Sequence, residues 1–208
     1  MGDHRKREGI KKSSSCHMFL ALRREKDNSD EYDAMSVFRE IIRDEEKDLA
    51  ILRAKCEAIG GVWRIYKTVN KRCFNKAFKL FQHRLIDDSE EYLHRIDSLW
   101  KNCLLKQESR AEKFFMIDFD GTEKEFEAFE EKMSANNINT ERVVKSPNGY
   151  HIVTKPFKVE TKGRSFKYEG HDVLKDGYYF VEIVSPDELE NTIYVDKDIQ
   201  GTSKYFPG

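Results

Sequence analysis

Phe114-Phe115-Met116-Ile117-Asp118-Phe119-Asp120-Gly121-Thr122 is the stretch whose reading decides the fold. Its first four residues form a short uninterrupted apolar run, the mark of a strand buried on both faces. The run ends in Asp118-Phe119-Asp120. Side chains alternate along a strand, so both aspartates point to one side and can share a divalent cation. Carboxylates at the end of a buried strand are costly unless a metal or a cationic ligand compensates them. Oxygen-only ligands suit Mg2+ or Mn2+.

Downstream, Phe126, Phe129 and Met133 mark one face of an acidic helix that Ala135-Asn136-Asn137 ends. Residues 142–145 read as a strand, Ser146-Pro147-Asn148-Gly149 as a turn and 150–154 as a second strand. Residues 173–174, 178–184 and 193–195 supply further strands. Upstream, Val37, Ile41, Ile42, Leu49, Leu52 and Ala58 recur at mostly helical spacing, which predicts a helix over 34–59 stopped by Gly60-Gly61. Residues 62–69 alternate apolar and polar side chains and read as a strand. Phe74, Phe78, Phe81 and Leu85 then share one face of a helix over 72–87, its apolar core side, and another helix covers 90–105. Residues 1–33 are polar, basic and partly serine-rich, and read as a flexible tail. The expected architecture is one α+β domain over 34–208, with a helical front (34–110) and an acidic, β-rich catalytic half (111–208). A small mixed or antiparallel sheet carries the aspartates.

Composition narrows the class. A chain of 208 residues fits one domain, or one domain with an appendage. With 38% apolar and 12% aromatic residues it can build a core, which excludes wholesale disorder and a fibrous repeat. No window approaches 18 uninterrupted apolar residues, and the run Met18–Leu22 is too short for a signal peptide. Cys16, Cys56, Cys73 and Cys103 are widely spaced, which argues against a disulfide scaffold or a zinc knuckle. The expectation is a cytoplasmic protein with reduced thiols and no membrane partner. The formal net charge of −1 hides a split between a basic first half and an acidic second half. Gly61 to Arg84 holds Arg64, Lys67, Lys71, Arg72, Lys76, Lys79 and Arg84 without one acid, interleaved with aromatics. Cations neutralise phosphates and aromatic rings stack bases, so this stretch is a candidate nucleic-acid contact.

Ser146-Pro147-Asn148-Gly149-Tyr150-His151 sets a glycine turn just before a histidine on a strand, about thirty residues after Asp118-Phe119-Asp120. With 64–72 (Arg-Ile-Tyr-Lys-Thr-Val-Asn-Lys-Arg) as an early strand, residues of about 55–185 resemble the archaeo-eukaryotic primase, or primase-polymerase, superfamily, the likeness being greatest to small phage-type members. The resemblance implies a metal-dependent nucleotidyltransferase of DNA replication that adds nucleotides on a single-stranded or primed nucleic acid. It implies catalytic Asp118, Asp120, His151 and Asp172, with Mg2+ or Mn2+ held by Asp118, Asp120 and Asp172, Asp176 being the substitute third acid. Asp172 precedes Val173-Leu174 on a strand, whereas Asp176 sits in an Asp-Gly turn. Nucleotide or nucleic-acid contacts then fall to Arg64, Tyr66, Asn70, Arg72, Ser146, Asn148 and Lys155. His151 would hydrogen-bond a triphosphate oxygen, and clustered carboxylates would hold the metal ions that phosphoryl chemistry needs.

Two alternatives stand beside this reading. A catalytically silent member would only bind nucleic acid. Asp118-Phe119-Asp120-Gly121-Thr122 also resembles the opening motif of haloacid-dehalogenase-type phosphatases, with Asp118 as nucleophile and Asp120 as acid/base. The motif lies far into the chain, and no strand-then-lysine element precedes Asp172. Oligomeric state is not legible.

Overall fold

Two antiparallel sheets face one another, and each has a helix on its outer side. The computed structural model describes residues 14–28, 36–87, 93–162 and 165–185. In chain order the elements are β1 (Ser15–Cys16), β2 (Met18–Arg23), β3 (Ser36–Ile41), α1 (Glu45–Ile59), β4 (Trp63–Thr68), β5 (Arg72–Cys73), α2 (Phe74–Asp87), α3 (Ile96–Leu105), β6 (Phe115–Asp120), α4 (Glu123–Ala135), β7 (Thr140–Ser146), β8 (Gly149–Thr154), β9 (Glu160–Lys162), β10 (Ser165–Tyr168), β11 (His171–Leu174) and β12 (Tyr178–Val184). The larger sheet runs β7-β8-β6-β11-β10-β9, the smaller β12-β4-β2-β3, and every pairing is antiparallel. β1 and β5 form a separate two-stranded ribbon. The class is α+β. Among the described residues no helix is long and apolar enough to cross a membrane.

Alternation explains the layers. On β6, Ile117 and Phe119 join Val143, Ile152 and Val173 from neighbouring strands in a core closed by Phe126, Phe129 and Met133 of α4. α4 starts on a capping box: Thr122 accepts from the Glu125 N–H, and the Glu125 carboxylate accepts from the Thr122 N–H. In the smaller sheet Phe19, Ala21, Trp63 and Ile65 pack on Leu52 and Cys56 of α1. Between the sheets, Val69, Met116, Val153 and Tyr179 form a shared apolar cluster beside an open cleft.

Several expectations need correction. The segment expected as a tail contains β2, a central strand whose Met18, Phe19 and Ala21 are fully buried between β3 and β4. Residues 1–13 and 29–33 of that tail lie outside the described residues. The expected helix over 34–59 begins only at Glu45. Ser36–Ile41 is instead an edge strand, because its apolar residues pair with β2. Asp44 separates the two by capping α1, its side chain accepting from the Lys47 N–H. The front over 34–110 is therefore not simply helical, since it supplies two strands of the smaller sheet, β3 and β4. The helix expected over 90–105 runs from Ile96, after a 3-10 turn at Leu93–Arg95. Phe78 is not core: it is 51% exposed, and Ala77 takes the buried position on α2. β9 and β10 extend the larger sheet beyond what alternation suggested, and the strand expected at 193–195 lies outside the described residues.

Candidate active site

Antiparallel register, more than sequence proximity, assembles the site. Residues directly opposite each other on paired strands share a face, with β-carbons about 5 Å apart. Asp118 is opposite His151 on β8 and opposite Asp172 on β11. Asp120 is opposite Gly149. Asp118, Asp120, His151 and Asp172 thus belong to one face of the larger sheet, turned away from α4.

Gly149 is what lets the turn close. A β-carbon there would overlap the Phe119 carbonyl oxygen, and the Gly121 N–H also donates to the Asn148 carbonyl at 3.2 Å. The close approach lays 146–149 against the end of β6, so Ser146 and Asn148 border the space above the aspartates.

His151 is buried and held from both nitrogens. The Phe180 backbone N–H donates to its Nδ1 at 2.8 Å. A backbone N–H can only donate, so the ring proton is inferred to lie on Nε2, which points at Asp118 Oδ1 at 3.4 Å. That contact holds the Asp118 carboxyl below its ordinary value against the opposing effect of burial. Tyr66 lies nearly parallel to the imidazole, with ring centroids 6.5 Å apart and planes inclined by 15°.

The facing wall comes from the smaller sheet. Leu20 and Leu22 of β2 and Arg64 and Tyr66 of β4 line a cleft of about 350 Å3 together with Asp118, Asp120 and His151. Arg24, Lys26 and Tyr178 also reach it. Sequence reading missed Arg24 and Lys26 because it assigned them to a tail. The available signal was Met18–Leu22, an apolar run of the same kind as Phe114–Ile117.

The remaining candidates divide. Arg64 reaches the cleft but is gripped by Asp27, its Nε and Nη2 donating to the carboxylate at 2.7 and 2.6 Å. Burial works against charge there, but Asp27 outweighs it and holds the guanidinium above its ordinary value. Arg72 and Asp176 are corrected outright. They form a buried pair at 2.8 and 2.9 Å, so Arg72 cannot contact a ligand and Asp176 cannot replace the third acid. Asn70 is equally committed: its side chain bonds the backbone N–H and carbonyl of Phe114 and the Asp176 carboxylate. Lys155 lies beyond the cleft, paired with Glu141 at 3.2 Å. The basic stretch is largely spent internally too, since Lys67 pairs with Glu45 and Lys76 donates to the Arg110 carbonyl. These cations attract acids brought from distant parts of the chain, which a local charge count cannot show.

Asp118 and Asp120 offer a hard divalent ion two carboxylates from one strand. Asp120 has no hydrogen bond or salt bridge among the described residues. Asp172 is tied to Lys167 at 2.7 Å. Among the described residues no three His, Cys, Asp or Glu side chains are gathered closely enough to hold a metal as they stand. The donor set fits two arms of a Mg2+ or Mn2+ site, and a third would require Asp172 to leave Lys167.

No protein-family model, characterised protein or solved structure matches this chain significantly.

Proposed function

We propose that the cleft binds a nucleoside triphosphate and that the chain is a primase-polymerase-like nucleotidyltransferase extending a nucleic-acid strand. The observation that carries this reading is the register that sets His151 and Asp172 on either side of Asp118, with Asp118, Asp120 and His151 lining a cleft whose other wall carries cations. His151, whose Nε2 points at Asp118, would turn its Nε2–H from that carboxylate to a phosphate oxygen. Ser146 and Asn148 border the same space. Asp118 and Asp120, with Asp172 released from Lys167, would hold Mg2+ or Mn2+, which supplies charge neutralisation for the transferring phosphoryl group. Tyr66 and the apolar Leu20 and Leu22 leave room for a base or sugar.

The test is Mg2+- or Mn2+-dependent incorporation of labelled nucleotide on single-stranded and primed templates. Asp120→Asn should lower incorporation by at least about a hundredfold, as losing a group that stabilises transition-state charge does, while single-strand binding stays close to wild type. Nucleic-acid binding without any incorporation would favour a silent binding protein, the reading that the Lys167–Asp172 pair supports. The phosphatase reading has less footing. Gly121 and Thr122 are engaged in the turn and cap that start α4, and both neighbours of β6 are antiparallel to it instead of belonging to a doubly wound parallel sheet. Release of phosphate from a generic phosphomonoester, abolished by Asp118→Asn, would restore it.

A further inference from the structure

Arg24, Lys26 and Arg64 enter the cleft from the wall opposite Asp118 and Asp120. Arg64 comes from β4. The other two come from a short segment, Arg24–Asn28, that leaves β2 through a single 3-10 turn at Glu25–Asp27. This segment is fastened down at its end. Asn28 Nδ2 donates to the Arg24 carbonyl at 2.8 Å and to the Val62 carbonyl at 3.1 Å, and its Oδ1 accepts from the Val62 N–H at 2.7 Å. Gly61, at φ +78°, permits the contact, because a β-carbon there would come within 2.6 Å of Asn28 Oδ1.

The charges on this segment are unevenly spent. Asp27 takes one hydrogen from Nε and one from Nη2 of Arg64. A guanidinium carries five N–H donors, so the Nη1 edge is uncommitted to Asp27. Arg24 lies 4.0 Å from the same carboxylate, too long for a hydrogen bond. Lys26 has no hydrogen bond or ion pair among the described residues, although it lines the cleft. Of the three cations on this wall only Arg64 is hydrogen-bonded to Asp27, and the opposite wall carries the aspartates.

We propose that Arg24–Asn28 is a preformed strap that, with Arg64, grips the phosphates of a polyphosphate ligand in the cleft. The proposal rests on the nucleotide reading above and deepens it by assigning the phosphates to the strap wall and the metal to the aspartate wall. Asp27 acts as a positioning residue: it aligns the guanidinium for a second, anionic acceptor. Asn28 and Gly61 spare the ligand the entropy of ordering the segment.

The probe is inorganic tripolyphosphate, titrated calorimetrically into the full chain in metal-free, EDTA-containing buffer. This removes the base, the sugar and the metal from the measurement. Lys26→Ala should weaken binding roughly tenfold, the scale of one charge-assisted hydrogen bond, and Lys26→Arg should restore it. Lys26 is exposed, so neither variant threatens the fold. Lys124→Ala, on α4 at the outer side of the larger sheet, should change nothing. Asp120→Asn should tighten binding roughly two- to threefold, because one like charge across the cleft is gone. Absence of tripolyphosphate binding, an unaffected Lys26→Ala variant, or an equal loss in Lys124→Ala would each overturn the strap. Affinity that depends on Lys26 supports it whether or not the chain incorporates nucleotides, so a failed incorporation assay overturns only the polymerase reading.

Discussion

Arg72 and Asp176 make two hydrogen bonds to each other with only 1% and 4% of their side chains exposed, and the energetics of such a pair are asymmetric. Removing one partner leaves a buried charge uncompensated, whereas replacing both with apolar side chains of similar size is often neutral. Arg72→Ala is expected to cost about 3–5 kcal/mol in urea unfolding, and the double variant Arg72→Met, Asp176→Leu to recover most of that loss. A stable Arg72→Ala protein with weakened nucleic-acid binding would restore the ligand role that the basic stretch suggested. His17 offers a pH-dependent counterpart. It donates from Nδ1 to the Thr68 carbonyl at 2.8 Å, and burial, aided by Lys67, pushes its pKa down to about 4. A histidine whose folded pKa lies below the unfolded value of about 6.5 costs stability on acidification, since only the unfolded chain takes up the proton. The penalty is absent above about pH 6.5, grows as pH falls toward 4 and then levels off. Urea midpoints between pH 7 and 4.5 should therefore fall more steeply for wild type than for His17→Gln; parallel profiles would show that His17 does not contribute.

At the scale of elements, the β7–β8 turn and β6 depend on one missing side chain. Gly149→Ala would drive a methyl group into the Phe119 carbonyl oxygen, and backbone cannot yield as a flexible side chain can. The expected cost is about 3 kcal/mol, the upper end of the overpacking range, read as a lowered thermal midpoint. An unchanged midpoint would mean that β8 does not approach β6 as closely as described. The same substitution should reduce any cleft activity, because Asp118–His151 depends on the β6–β8 register. Register is all-or-none: a slip by one residue would turn Asp118 and His151 toward α4 and Ile117 toward the cleft.

For the whole molecule, the N-terminal part is structural. β2 lies between β3 and β4, so removing it leaves those strands without their shared partner and exposes the apolar face covered by α1. A fragment beginning at Ser29 should lose cooperative unfolding and dispersed amide NMR signals. A well-folded fragment would show β2 to be dispensable. β2 also leads directly into Arg24 and Lys26, so the strand that completes the smaller sheet delivers the cations of the cleft.

The sequence by itself determined β4, β6, β7, β8, β12, α2 and α4 to within a few residues, since each carries an apolar period that burial imposes locally. It also determined that Asp118 and Asp120 share a side, because alternation is a property of a single strand. His151 was found through its glycine turn and its place in the family-like pattern. Tertiary structure alone decided which strands are neighbours, and hence that His151 and Asp172 both oppose Asp118. It alone decided that Met18–Leu22 is a central strand, since a five-residue apolar run is equally compatible with a strand, a helix fragment or a docked arm. The fate of the basic stretch was also tertiary: Asp27, Glu45 and Asp176 are distant in sequence from Arg64, Lys67 and Arg72, and ion pairing is governed by distance in space.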